Sequence, residues 1–212
     1  YQGVEIYPDY VLAIDDMCAD EMLKEGIPEK SIHVIGQPYL EEVVSNVPPL
    51  GENLLLVSQP VRRYWGRSLG YDEMDFWGLC IAAVDKPSGA NIYATRHPDE
   101  GVTGQYPETA AFTWKSGEGL KDVAASHTVL GMFSMQMIIG YLWGRKVASV
   151  QPDLCLRDPS PLSRWGLIPR FQRAVEVAEF VGNSEMGLCD ERIKHSLIGS
   201  LNRFEVFCKQ GR

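Results

Sequence analysis

Residues 122–152, DVAASHTVLGMFSMQMIIGYLWGRKVASVQP, decide the fold. Within them residues 127–131 (HTVLG) read as a short buried strand, and Met132 and Phe133 as a tight turn. A helix opens near Ser134 and runs to about Trp143, where Gly144 is placed to end it. Residues 147–151 form a second strand, which Pro152 stops. Strand, helix and strand at this spacing make a βαβ unit, almost always a right-handed parallel crossover. Ser134 then sits where unbonded main-chain N–H groups and the positive end of a helix dipole suit an anion, most often a phosphate.

Outward from this unit, short apolar runs alternate with helical segments. Residues 10–14 (YVLAI), 31–35 (SIHVI), 54–57 (LLLV) and 91–95 (NIYAT) read as strands bounded by turn residues, with a short further one at 111–114. Helices are predicted over 16–25 with Asp16 as cap, then 40–44, 72–84, 119–125, 171–181 and 190–208. Three loops separate them: one carrying Arg62, Arg63 and Arg67, a polar one at 99–108, and a long one over 152–166. Turn residues at 46–53 predict a linker between residues 1–45 and 54–212. Alternation of strands and helices predicts an α/β fold, a doubly wound and mostly parallel Rossmann-like sheet. Ligands of such sheets bind beyond the carboxyl ends of the strands. Those ends hold Ser58, Gln59 and Pro60; Arg96, His97 and Pro98; Phe133 and Ser134; and Gln151 and Pro152. Polar or turn residues gather at every one.

Composition excludes several classes. With 212 residues, 45 % of them hydrophobic, the chain can bury a substantial core. A net charge of −8 argues against nucleic-acid binding, which rests on basic surface. No apolar run approaches the roughly 20 residues of a membrane span, and the opening residues do not read as a signal peptide. The five cysteines are scattered without a CxxC pair, as expected of reduced thiols in the cytoplasm. No His, Cys or Asp cluster has metal-ligand spacing; Asp15 and Asp16, adjacent on a strand-to-helix turn, point apart. Tyr1 is not a Met and a strand pattern begins almost at once, so further sequence is expected upstream.

The loops resemble those of GT-B glycosyltransferases and their relatives, the non-hydrolysing nucleotide-sugar 2-epimerases. PDYVLAIDDMCADEMLKEGIPEKSIHVIGQP (8–38) is similar to the last βαβ of a GT-B amino-terminal domain, with Gly26 and Ile27 ending its helix and Gly36, Gln37 and Pro38 ending its strand. LLLVSQP (54–60) resembles the first strand and loop of the donor-binding domain, and RHPDE (96–100) a His-Pro loop of polysaccharide-assembly members. The element around Ser134 resembles the family's strand, serine-capped helix and Lys-Val strand. The resemblance implies two Rossmann-like domains, most of the first absent here, with the nucleotide-sugar held mainly by the second. One departure is plain: where many members carry Glu and Ala in this helix, the chain has Ile139 and Gly140.

The donor site expected on these grounds comprises Ser58, Gln59, Arg62, Arg96, His97, Ser134, Met135 and Gln151. Ser134 and the N–H of Met135 would meet phosphate; Arg96 and Arg62 would offer guanidinium forks to its oxygens. Gln151 would meet a sugar hydroxyl or a nucleobase edge. His97 is the catalytic candidate, hydrogen-bonding a diphosphate or protonating a leaving phosphate, against the plainer reading of a loop histidine paired with Asp99 or Glu100. Arg63 and Arg164 are solvated loop charges by default, and His127 a satisfied core histidine. Trp65, Tyr71, Phe76 and Trp77 read as packing residues.

The function expected is that of a glycosyltransferase donor domain in cytoplasmic assembly of a cell-surface polysaccharide or glycolipid, perhipheral at most to the inner membrane face. The reaction would need no metal or other cofactor, and its partners would be a nucleotide-sugar and a saccharide or lipid-linked acceptor, with no nucleic acid. The 212 residues alone are expected to be inactive. Two readings stand beside it: a nucleotide-sugar 2-epimerase, which needs carboxylates facing the sugar and so suffers from Ile139, and a non-catalytic nucleotide-sugar-binding or assembly module.

Overall fold

The computed structural model describes residues 8–84, 91–100, 109–115 and 117–210; residues 101–108 of the expected polar loop lie outside them. In chain order the elements are β1 (Val11–Ala13), α1 (Asp16–Lys24), β2 (Ile32–Val34), α2 (Pro38–Ser45), β3 (Asn53–Val57), α3 (Val61–Trp65) and α4 (Glu73–Val84). Then come β4 (Ile92–Thr95), β5 (Thr113–Lys115), α5 (Leu120–Ala124), β6 (Ser126–Gly131), α6 (Met135–Leu142) and β7 (Lys146–Val150). The chain finishes with α7 (Pro161–Arg164), β8 (Arg170–Phe171), α8 (Ala174–Gly182), α9 (Glu191–Leu197) and α10 (Ser200–Gln210). Among the described residues no helix is long and apolar enough to cross a membrane.

The chain divides into two compact units, residues 1–47 with 190–212, and Pro48–Cys189. In the first, β1 and β2 pair in parallel, joined by α1. Asp15, not Asp16, caps α1: its Oδ1 accepts the N–H of Cys18 at 2.8 Å. Gln37 caps α2, accepting the N–H of Leu40 at 3.0 Å, and Pro38 supplies the first helical residue.

The last two helices correct two expectations. Residues 190–208 are not one helix, because Gly199 takes φ 82 and breaks the segment into α9 and α10. Nor do they belong with residues 54–189. The Glu41 carboxylate of α2 accepts the N–H groups of Gly199 at 2.6 Å and Leu201 at 3.0 Å, satisfying the amino end of α10. Arg203 Nε donates to the carbonyl of Ile35 at 3.1 Å, just past β2. These bonds fix the pair in the first unit.

The second unit is a six-stranded sheet in the order β5-β4-β3-β6-β7-β8, with every pair parallel. Alternate residues face opposite layers, as a strand period of two requires. Leu54, Leu56, Leu130, Ala148 and Val150 join Phe76, Trp77 and Cys80 of α4 and Val177 of α8 in one core. On the other face α6 lies so close that a Cβ on Gly140 would be 3.2 Å from Val129 and 3.3 Å from Val147. Helices thus cover both faces, and the sheet is doubly wound.

The arginine-bearing stretch after β3 is not a bare loop, since residues 61–65 form α3. The long segment over 152–166 contains α7, started by Pro161. The helix expected from residue 171 begins at Ala174, because Arg170 and Phe171 first pair with β7 as β8.

Candidate functional site

Because all six strands run the same way, every loop of interest leaves from one edge. Val57 is level with Thr95 on one side and Gly131 on the other, and Gly131 with Ser149. His97 and Ser134 therefore leave from strands two apart, about 10 Å at the spacing of neighbouring strands, with Ser58 and Gln59 between them.

Ser134 closes the amino end of α6: in extended conformation (φ −87, ψ 151), its Oγ accepts the N–H of Gln136 at 3.2 Å. The serine is buried while Met135, one residue on, is 45 % exposed. Phe133, just before the cap, meets the Trp65 ring edge-on at 5.5 Å between centroids. Trp65 is itself 43 % exposed, so it is a surface ring at this edge rather than a core residue.

His97 is organised by the two acids that follow it. Its Nδ1 accepts the main-chain N–H of Asp99 at 3.1 Å. Glu100 is buried; its Oε1 accepts the N–H of His97 at 3.0 Å and the hydroxyl of Ser58. Asp99 faces the other way, its Oδ2 accepting the Tyr64 hydroxyl at 2.5 Å and its carbonyl the Nη1 of Arg63 at 3.1 Å. His97 is thus paired with both acids, as the plainer reading expected, the ring through the Asp99 main chain and the His97 N–H through the Glu100 carboxylate. Hydrogen bonding from Tyr64 draws the Asp99 carboxyl below its ordinary pKa. Arg96 is exposed and lies over the Trp114 ring, 4.4 Å from its centroid.

Three of the expected ligands are engaged by other side chains of the protein, Ser58 and Gln151 in its interior and Arg62 at the surface. Ser58 is fully buried on Glu100. The Arg62 guanidinium donates to Asp72 from Nε at 3.1 Å and Nη2 at 2.7 Å. Gln151, fully buried, donates Nε2 to Ser149 Oγ and Asp158 Oδ1, each at 2.7 Å. Gln59 is half-buried at the sheet edge, and its carbonyl accepts the N–H of Val61 at 2.8 Å. Arg164 donates to the Asp158 carbonyl at 2.7 Å. His127 lies at the amino end of β6, the opposite edge, where burial and the nearby Lys146 and Arg145 lower its pKa. Ile139, where the resemblance would put an acidic residue, is buried at 3 % exposure.

Sequence reasoning missed Asp72 and Asp158, the two buried carboxylates that organise the surrounding loops. Arg62 and Arg67 clustered within ten residues of Asp72 were the available signal for the first; the donors to the second are mostly uncharged, Gln151, the Ser160 N–H and Ser163, and carry no charge pattern to point at it. A cavity of about 270 Å³ at the carboxyl end of β5, lined by Lys115, Glu118, Lys121 and Asp122, was also not foreseen. Among the described residues, no group of three or more His, Cys, Asp or Glu side chains could hold a metal ion.

A parallel, doubly wound sheet with loops converging at its carboxyl edge, accompanied by a separate βαβ unit, is the GT-B type of fold. Solved structures of that type match it. The UDP-GlcNAc 2-epimerase of Methanocaldococcus jannaschii, solved with UDP-GlcNAc and UDP, superposes with a TM-score of 0.61 at 11 % identity, over 92 % of this chain and 61 % of that one. The calicheamicin glycosyltransferase CalG4 superposes at 0.54 with 14 % identity, over 98 % and 54 %. The glycosyltransferase of kitacinnamycin gives 0.50 with 12 % identity, over 94 % and 51 %. The chain thus spans less than two thirds of each. No protein-family model matches the sequence, and no curated protein does.

Proposed function

We propose that this chain is the donor-binding part of a GT-B glycosyltransferase, moving a sugar from a nucleotide-sugar to a saccharide or lipid-linked acceptor in cell-surface polysaccharide or glycolipid assembly. One observation carries the reading: the Ser134-capped end of α6 shares the carboxyl edge of a parallel sheet with the His97 turn and with Gln59. Main-chain N–H groups at Met135 would receive the phosphate, with Arg96 and His97 on its other side. Ser58, Arg62 and Gln151 act from behind, holding the loops in place. Stabilising the departing nucleotide by fixed dipoles and cations needs no divalent metal. The work would take place in the cytoplasm, at most on the inner face of the membrane.

Calorimetric titration with UDP, CMP and GDP tests this. One of the three is expected to bind, and Ser134→Pro, which removes the cap and an N–H at the helix entrance, to weaken it about tenfold or more. A folded chain that binds none of them favours a non-catalytic module of the same fold. The likeness to the 2-epimerase supports a second reading, isomerisation of the donor sugar. Only that reaction consumes UDP-GlcNAc without an acceptor, so product formation from UDP-GlcNAc alone would replace the first reading with the second.

A further inference from the structure

We propose that Asp99 and Glu100 hold His97 in the Nε2–H tautomer, which hydrogen-bonds a leaving phosphate without transferring its proton. The phosphate rests on the donor-site reading above; the tautomer stands on the geometry of the turn alone.

A ring nitrogen that accepts an N–H carries a lone pair. With Nδ1 accepting from Asp99 at 3.1 Å, the neutral ring has its proton on Nε2. The turn that makes this bond is fastened from two sides. Inward, the buried Glu100 carboxylate accepts both the N–H of His97 and the hydroxyl of Ser58, tying the turn to the exit of β3. Its own N–H returns to the His97 carbonyl at 3.0 Å. Outward, Tyr64 and Arg63 of α3 grip the side chain and carbonyl of Asp99. Moving the Asp99 N–H off the ring would disturb both attachments.

The chemistry follows from the tautomer. Nε2 bears a proton and no lone pair, so it cannot serve as a general base. Giving that proton away would leave an imidazolate, a far stronger base than any phosphate, so proton transfer to the leaving group is uphill. A phosphate leaving group is already a stable anion near neutral pH, with a second pKa of about 6. It gains from a charge-assisted hydrogen bond and does not need the proton. Glu100 and Asp99 are positioning residues in this scheme, and His97 alone touches the phosphate. Of the two roles expected of His97, this scheme takes hydrogen-bond donation.

The tautomer is read by long-range ¹H–¹⁵N correlation on the ¹⁵N-labelled chain at mildly alkaline pH, with the His97 signals identified by their loss in His97→Gln. Wild type is expected to show protonated Nε2 and unprotonated Nδ1. Glu100→Gln, whose amide oxygen can accept the same two bonds, keeps that pattern; Glu100→Ala, confirmed folded by circular dichroism, mixes the tautomers. Protonated Nδ1 in wild type, or a Glu100→Ala spectrum like wild type, overturns the positioning. Pyrophosphate titration then tests the donor. His97→Ala should weaken binding about tenfold or more, while His97→Gln, which keeps an N–H, stays within a few-fold of wild type. Equal losses in both variants overturn donation. Absence of pyrophosphate binding by wild type sinks the donor-site reading and the role of His97 in it, and the nitrogen spectrum still decides the tautomer separately.

Discussion

Replacing Asp158 by alanine should unfold the chain more readily than any surface change in the same loop. The carboxylate is buried and serves as a hub. Oδ1 accepts Nε2 of Gln151 at 2.7 Å and the N–H of Ser160 at 2.8 Å; Oδ2 accepts Ser163 Oγ at 2.6 Å and lies 3.5 Å from Arg170. Gln151 and Ser160 are themselves buried, so truncation strands their donors away from water. Each hydrogen bond to a charged group contributes about 1.5–3 kcal/mol. Bonds that share one acceptor do not add, and water entering the vacated space recovers part of the loss. A net destabilisation of about 3–5 kcal/mol is therefore expected for Asp158→Ala, and less for Asp158→Asn, which keeps one acceptor. Urea unfolding followed by far-ultraviolet circular dichroism measures it, as a lower midpoint at unchanged slope. A loss below about 1 kcal/mol at constant slope would mean that the hub does not hold the loop. Gln151 would then be available to a ligand after all.

Two further substitutions probe the same edge. Burial alone would raise the pKa of Asp72, but hydrogen bonds from Arg62 and from the N–H groups of Asp75 and Met74 outweigh it and hold the carboxyl below its ordinary value. A lowered folded pKa gives stability that is present above the unfolded value of about 3.9 and lost as pH falls through the folded one. Arg62→Met should lower the thermal midpoint at neutral pH, and its gap from wild type should close only in strong acid; a gap independent of pH contradicts the pairing. Ile139→Glu should not restore a ligand. It buries a carboxyl in apolar surroundings, with an expected loss of about 3 kcal/mol or more. A variant with a wild-type melting temperature and tighter UDP binding in calorimetry would show that this position faces the donor.

Periodicity made the fold legible. Apolar runs such as LLLV and the serine-capped helix of 122–152 are local signals, and they placed β3, β6, α6 and β7 to within a residue or two. Elements fixed by distant partners were not legible. β8 is only two residues long and exists because Arg170 and Phe171 pair with β7, so no alternation could announce it. The break at Gly199 follows from a φ of 82 and from a carboxylate 158 positions earlier in the chain. The candidate loops were legible as sharing one edge, because parallel strands force their exits together. Which side chains of those loops turn inward was not, since that depends on Glu100, Asp72 and Asp158 lying beneath them.

Inward or outward follows, in large part, from how far a residue lies past its strand. Ser58 is one position beyond Val57, and Gln151 one beyond Val150. At that distance the main chain still pairs: the N–H of Ser58 donates to Thr95 at 3.3 Å, and that of Gln151 to Phe171 at 2.9 Å. The side chain of such a residue remains between the sheet and its covering layer, where the Ser58 hydroxyl finds Glu100 and the Gln151 Nε2 finds Ser149 and Asp158. Gln59 and His97 lie two positions beyond Val57 and Thr95, and Ser134 three beyond Gly131. There the ladder has ended: Gln59 and His97 are half-buried at the edge, and Ser134, although buried, turns its hydroxyl to the Gln136 N–H as the cap of α6. Arg96, one position past Thr95, reaches the surface by another route, its guanidinium crossing the face of Trp114 on the neighbouring strand. Among the described residues, the groups that leave this edge two or more positions past their strands are thus Gln59, His97 and the Ser134-capped helix entrance, while Ser58 and Gln151 serve as struts.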